Sequence, residues 1–169
     1  MSKFSLMLVM ASLILTVSCA KKQKPDMDNS FSDAKEMSFD PSGSDSGKID
    51  GLYTVHFDYD KSNLSNEDRD LLVKDADWLR HHSNKSFQIE GHCDRHGSIE
   101  YNLGLGQKRA NAAKQYLVNL GVKADRILTT SYGKEQLLDD AETEAADIKN
   151  RRANFKPIDK PILNKMSNL

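Results

Sequence analysis

From Gly51 onward the apolar positions fall into two periods. Tyr53, Val55, Phe57 and Tyr59 alternate with Thr54, His56 and Asp58, the period of a strand with one buried face. Ser65-Asn66-Glu67-Asp68 reads as a helix start, with Ser65 as N-cap and acids in the first turn, where the helix dipole favours negative charge. Leu72, Ala76 and Leu79 follow at helical spacing, Trp78 is expected at the helix edge, and Arg80, His81 and His82 form a solvated end. Phe87, Ile89 and Gly91 predict a second strand over 86–92. A long helix over 99–120 stops at Gly121. Its stripe of Gly106, Ala110, Ala113, Leu117 and Leu120 begins with small residues, which let the helix backbone lie close on a sheet. A third strand over 127–132 ends at Gly133, a shorter helix covers 142–149, and a fourth strand covers 152–156. Pro157 marks that last strand as a short edge. The order βαβαβ(α)β predicts an α+β fold, a mixed sheet with helices packed on one face and right-handed crossovers.

The first fifty residues behave differently. Lys3 precedes an apolar stretch of 14 residues, 4–17. A spanning helix needs about 20 such residues, so the stretch reads as a signal-peptide core. It ends in Leu15-Thr16-Val17-Ser18-Cys19, which resembles the bacterial lipobox, where cleavage precedes a cysteine bearing a diacylglycerol thioether. This predicts a signal peptide over 1–18 and lipidation of Cys19. The next residue is Ala20, not the Asp of an inner-membrane retention signal, so the expected destination is the outer membrane, with the domain in the periplasm. Acyl chains anchor through about 0.8 kcal/mol per buried CH₂. Residues 20–50 hold 17 Ser, Gly, Pro, Asp or Asn among 31, with no sustained period. Such a segment buries too little to offset its ordering entropy, and as a coil it spans about 30 Å. The expected organisation is signal peptide 1–18, lipidated Cys19 and disordered linker 19–50, folded domain 51–156, and a loose tail 157–169.

Composition narrows the function classes. The chain of 169 residues suffices for one ordinary domain, and a net charge of -1 lacks the basic excess of a nucleic-acid binder. Two cysteines exclude a disulfide framework and a Cys₄ zinc site. His92, Cys93, Asp94 and His96 resemble a ligand run, but zinc needs converging ligands, and neighbours on a strand point to opposite faces. No metal and no cofactor are expected; Cys93 reads as a packed thiol, with an intermolecular disulfide as the alternative. Ser98 near His96 supplies no nucleophile–base constellation, so no catalysis is expected.

The densest signal is Glu90-Gly91-His92-Cys93-Asp94-Arg95-His96-Gly97-Ser98, followed by Glu100-Tyr101-Asn102-Leu103-Gly104-Leu105-Gly106-Gln107-Lys108-Arg109-Ala110-Asn111-Ala112. With Phe57-Asp58-Tyr59-Asp60-Lys61, Ser131-Tyr132-Gly133-Lys134-Glu135 and Asn150-Arg151-Arg152-Ala153, these blocks resemble the OmpA-like peptidoglycan-binding domain family over residues 53–155, in particular its lipoprotein branch. The resemblance implies non-covalent binding of the diaminopimelate residue of the peptidoglycan stem peptide. It places Asp94 and Arg109 as the principal contacts, with Phe57, Asp58, Tyr59, Asn102 and Leu105 around them and Asn150 and Arg151 at the same rim. The chemistry agrees: a zwitterionic head group needs an acceptor-only anion for its ammonium and a planar donor fork for its carboxylate. The plainer alternative is that Asp94 and Arg109 pair with each other.

The resemblance also implies a periplasmic Tol propeller protein as partner, within a Tol-Pal system of envelope integrity and cell division. Where many relatives carry Asp-Glu-Arg-Gly, this chain has Asp94-Arg95-His96-Gly97, which puts any partner contact through this loop in doubt. The competing reading is a protein-binding envelope scaffold whose peptidoglycan groove is vestigial.

Overall fold

A computed structural model describes residues 39–159; the signal peptide, Cys19, residues 20–38 of the linker and residues 160–169 of the tail lie outside the described residues. The elements are β1 (Val55–His56), α1 (Asn66–His81), β2 (Lys85–His92), α2 (Ile99–Asn119), β3 (Ile127–Gly133), α3 (Glu144–Asn150) and β4 (Arg152–Asp159). They build a four-stranded sheet in the order β1-β4-β2-β3. β2 and β3 run parallel, joined through α2, while β4 lies antiparallel to both β1 and β2. The α+β fold with a mixed sheet is therefore as expected.

Local chemistry explains the helix ends. Ser65 and Asp68 form a reciprocal capping box at α1, and Ser98 caps α2 by accepting from the Tyr101 N–H. Leu72, Ala76 and Leu79 of α1 join Ala110, Ala113 and Leu117 of α2 over Phe87, Ile89, Ile127 and Phe155 of the sheet. The small-residue stripe does what its spacing predicts. A Cβ on Gly91 would fall inside the Gly106 carbonyl, so α2 lies against β2 backbone to backbone. Trp78, expected at an edge, is buried, stacked on His82 at 3.8 Å between centroids and on Phe87 at 5.6 Å. His82 is thus part of an aromatic cluster rather than a solvated end.

Three further expectations are corrected. The first strand was expected over 53–59, yet its ladder spans only Val55–His56, because β1 has a single neighbour and meets β4 only at Ala153 and Arg152. The last strand is an interior strand of eight residues rather than a short edge, and it runs through Pro157 to Asp159. Proline is tolerated because N–H groups alternate in direction: that of Phe155 points away from β2 to Ser44 Oγ at 2.9 Å, and position 157 faces the same way. Finally, the leash does not extend to residue 50. Gly43–Ser46 forms a 3₁₀ turn against β4, Ile49 and Leu52 are buried, and Arg152 Nε donates to Asp45 Oδ2 at 2.8 Å. This segment occupies the side of β4 that the two-residue β1 leaves uncovered.

Candidate functional site

The loop after β2 and the middle of α2 meet at one cleft of about 130 Å³. Asp94 and Arg109 both line it, together with Tyr59, Asp60, Asn102 and Leu105. Asp94 leaves the end of β2, which the parallel pairing with β3 holds in place, and Arg109 lies three turns into α2 on the helix's buried side. The two do not pair with each other. Arg151 Nη1 donates to Asp94 Oδ2 at 3.2 Å, and the His96 N–H donates to Asp94 Oδ1 at 3.2 Å. Arg109 donates instead to three main-chain oxygens: Nε to Lys61 at 2.8 Å, Nη1 to His92 at 2.7 Å and Nη2 to Asp58 at 3.1 Å.

The remaining expected residues divide by role. The Phe57 ring lies 5.2 Å from the Arg109 guanidinium, and the Phe57 carbonyl accepts from Arg151 Nε. Asp58 contributes its carbonyl to Arg109, while its exposed carboxylate pairs with Lys61. Both residues therefore stand behind the cleft, whereas Tyr59 is exposed at its rim, its ring T-shaped to that of His96 at 6.2 Å. Asn102 turns its amide to the carbonyls of His96 and Ser98 and so braces the loop. Asn150 lies apart from the cleft contacts: its amide holds the main chain of Leu138 and Asp139.

Burial controls the electrostatics. Arg109 has no exposed surface, and its burial lowers the guanidinium's proton affinity against the opposing field of Asp94. Burial likewise opposes the charge of Arg151, but Glu144 and Asp94 outweigh it and hold that group above the ordinary arginine value. The Cys93 thiol is pushed up to about 11 by burial and donates to the Asn102 carbonyl on α2, while the His92 ring stacks on Tyr132 of β3. These neighbouring side chains thus serve different faces, and Cys93 remains a thiol at neutral pH.

Sequence reasoning overlooked several groups here. Tyr101 and Asp60, both at the rim, are joined by a hydrogen bond from the phenol to the carboxylate. Lys134 donates to the carbonyls of Arg95 and Gly97, and His96 Nε2 lies 3.1 Å from Asp147 Oδ2. Tyr101, Asp60 and Lys134 sit inside the quoted motifs, so their presence was visible without their role. Asp147 lies one helical turn before Asn150, and that proximity was the only available hint.

The OmpA family model matches residues 56–151. A peptidoglycan-associated lipoprotein of Mesorhizobium japonicum is 31% identical over 87% of this chain and 88% of its own. One from Brucella melitensis is 39% identical over 59% of each chain, and one from Pasteurella multocida is 42% identical over 59% of this chain and 67% of its own. The crystal structure of the peptidoglycan-associated lipoprotein from Burkholderia pseudomallei superposes with a TM-score of 0.60 at 36% identity, covering 62% of this chain and 89% of that one. The C-terminal domain of Helicobacter pylori MotB shares the fold at 15% identity, with a TM-score of 0.59 over 63% of this chain and 84% of its own. With the family model spanning more than half of its residues, the chain belongs to the OmpA family.

Proposed function

We propose that the domain binds peptidoglycan without catalysis, holding the diaminopimelate head group of a stem peptide between Asp94 and Arg109. The observation that carries this reading is that two opposite charges line one small cleft without neutralising each other. A carboxylate has about four lone-pair sites, and Asp94 uses two, which leaves acceptors for an ammonium. A guanidinium has five N–H groups, and Arg109 spends three on carbonyls, which leaves two for a carboxylate. The cleft is small, about 130 Å³. That suits an ammonium, a carboxylate and the carbon bearing them. Because Arg109 is fully buried, a ligand carboxylate reaches it only by drawing the rim open.

The names of the relatives support the same reading. In its full form the proposal is a lipoprotein held by acylated Cys19 in the outer membrane, its domain in the periplasm tethering that membrane to the cell wall. A Tol propeller protein would be its partner.

Retention on purified diaminopimelate-type sacculi tests the site. The wild-type domain is expected to be retained, Asp94→Asn to be lost from the pellet, and a lysine-type stem peptide, lacking the second carboxylate, to bind about tenfold more weakly, the effect of losing one charge-assisted hydrogen bond. A wild type that is not retained would instead favour the protein-binding scaffold, and retention that Asp94→Asn leaves unchanged would remove Asp94 from the site.

A further inference from the structure

We propose that His96 is a positioning residue whose charged ring ties the binding loop to α3, so that affinity at the cleft falls as the ring loses its proton. This rests on the binding reading above. Residues 93–98 have no regular structure of their own, and the loop is held by side chains from elsewhere. Asn102 donates to the His96 carbonyl at 2.6 Å, and Lys134 holds the carbonyls on either side of that residue. The His96 N–H in turn donates to Asp94 Oδ1, so the residue that carries the ring also orients the Asp94 carboxylate.

The ring itself meets an unusual partner. Asp147 is 2% exposed, and its Oδ1 has no hydrogen-bond partner among the described residues. Its other oxygen faces the loop, 3.1 Å from His96 Nε2 and 3.6 Å from Arg95 Nη2. A buried carboxylate depends strongly on the cations near it. A protonated His96 supplies both a donor and a counter-charge. A neutral ring supplies at most the donor, and in its other tautomer turns a lone pair toward the carboxylate.

The groups facing His96 are Asp147 on α3, the Tyr59 ring at 6.2 Å, and Arg95 and Asp94 on its own loop. Lys134, Arg151 and Glu144 complete the cluster through the loop carbonyls and Asp94. Among these side-chain types, only an imidazole ordinarily changes charge between pH 5 and 8. The ring is half exposed and exchanges protons with solvent directly. Loss of the ring's proton removes the charge from this tie and leaves at most a neutral hydrogen bond. Arg95 keeps part of the counter-charge, so the expected loss of affinity is roughly three- to tenfold, between an exposed and a buried ion pair.

Calorimetry with a soluble diaminopimelate stem peptide from pH 5 to 8 tests this on the wild type, His96→Arg and His96→Gln. The wild type should weaken three- to tenfold across the interval, His96→Arg should stay tight and flat, and His96→Gln should be flat at the weak level. A flat wild type, or a slope that persists in His96→Gln, overturns the proposal. If the wild type binds at no pH, the peptidoglycan reading itself has failed, and NMR decides the tie separately. Amide shifts of Arg95, His96 and Gly97 that follow the ring's titration and lose that response in Asp147→Asn support it; amides indifferent to the ring overturn it.

Discussion

Arg109 Nη1 donates to the main-chain oxygen of His92 at 2.7 Å, tying the middle of α2 to the strand end from which Asp94 follows two residues later. The same guanidinium holds the carbonyls of Lys61 and Asp58, so one side chain both faces the cleft and braces three segments around it. Arg109→Ala should therefore strip three main-chain acceptors, one buried and two partly buried, of their donor and destabilise the domain by about 3–5 kcal/mol, as measured by urea unfolding. Arg109→Lys keeps the charge but loses the fork. It is expected to remain folded at 25 °C while stem-peptide affinity in calorimetry falls about tenfold or more.

Two glycines near the cleft should respond oppositely to alanine. At Gly91 a Cβ meets the Gly106 backbone carbonyl, which cannot move without shifting α2, and Gly91→Ala is expected to cost about 3 kcal/mol. At Gly104, exposed on the same helix, a Cβ meets nothing within 4 Å. Gly104→Ala should stabilise by up to about 1 kcal/mol through helix propensity. Thermal melting of the two variants checks the contrast.

Asp75 lies fully buried on α1, accepts from the Tyr53 N–H through Oδ1 and leaves Oδ2 unpartnered among the described residues. Burial pushes its carboxyl up to about 8, against the smaller opposing effects of the Tyr53 N–H and Lys74. The folded protein thus keeps a proton that the unfolded chain releases in the ordinary carboxylate range near about 4. With the folded value above the unfolded one, this group favours folding most below about pH 4, and its contribution declines as pH rises toward 8. Asp75→Asn should match the wild type near pH 4 and melt several degrees higher near pH 8. Melting temperatures of the two proteins across that interval provide the measurement.

The Asp45–Arg152 ion pair joins residues separated by 107 positions, with both side chains nearly buried. Asp45→Ala should leave the Arg152 charge without its carboxylate and cost about 3 kcal/mol. Beginning the chain at Gly51 should cost at least as much, since it also removes Ser44 from the Phe155 N–H. A shortened chain as stable as one starting at Met37 would show that this segment is no part of the fold.

Features set by near neighbours were readable along the chain. The Ser65 cap needs only Asp68 three residues on, and the stripe from Gly106 to Leu117 needs only the helix period. The motif around Asp94 and Arg109 named two charges of the cleft in advance, though not the role of Asp60. Other features depend on how the sheet closes. Pro157 looked like a terminus because proline lacks a donor, and only the direction of the neighbouring Phe155 N–H shows that no ladder bond is lost there. The stretch around Ser44 has a linker's composition, yet an uncovered length of β4 supplied the polar groups that order it. Whether Asp94 would pair with Arg109 was equally open from their spacing. Arg151, 57 residues beyond Asp94, takes the carboxylate, and carbonyls brought together by β1, β2 and α2 take Arg109. Local rules specify what a residue can bond to; which partner it meets across such separations is settled by the packing that brings the two within 3 Å or so.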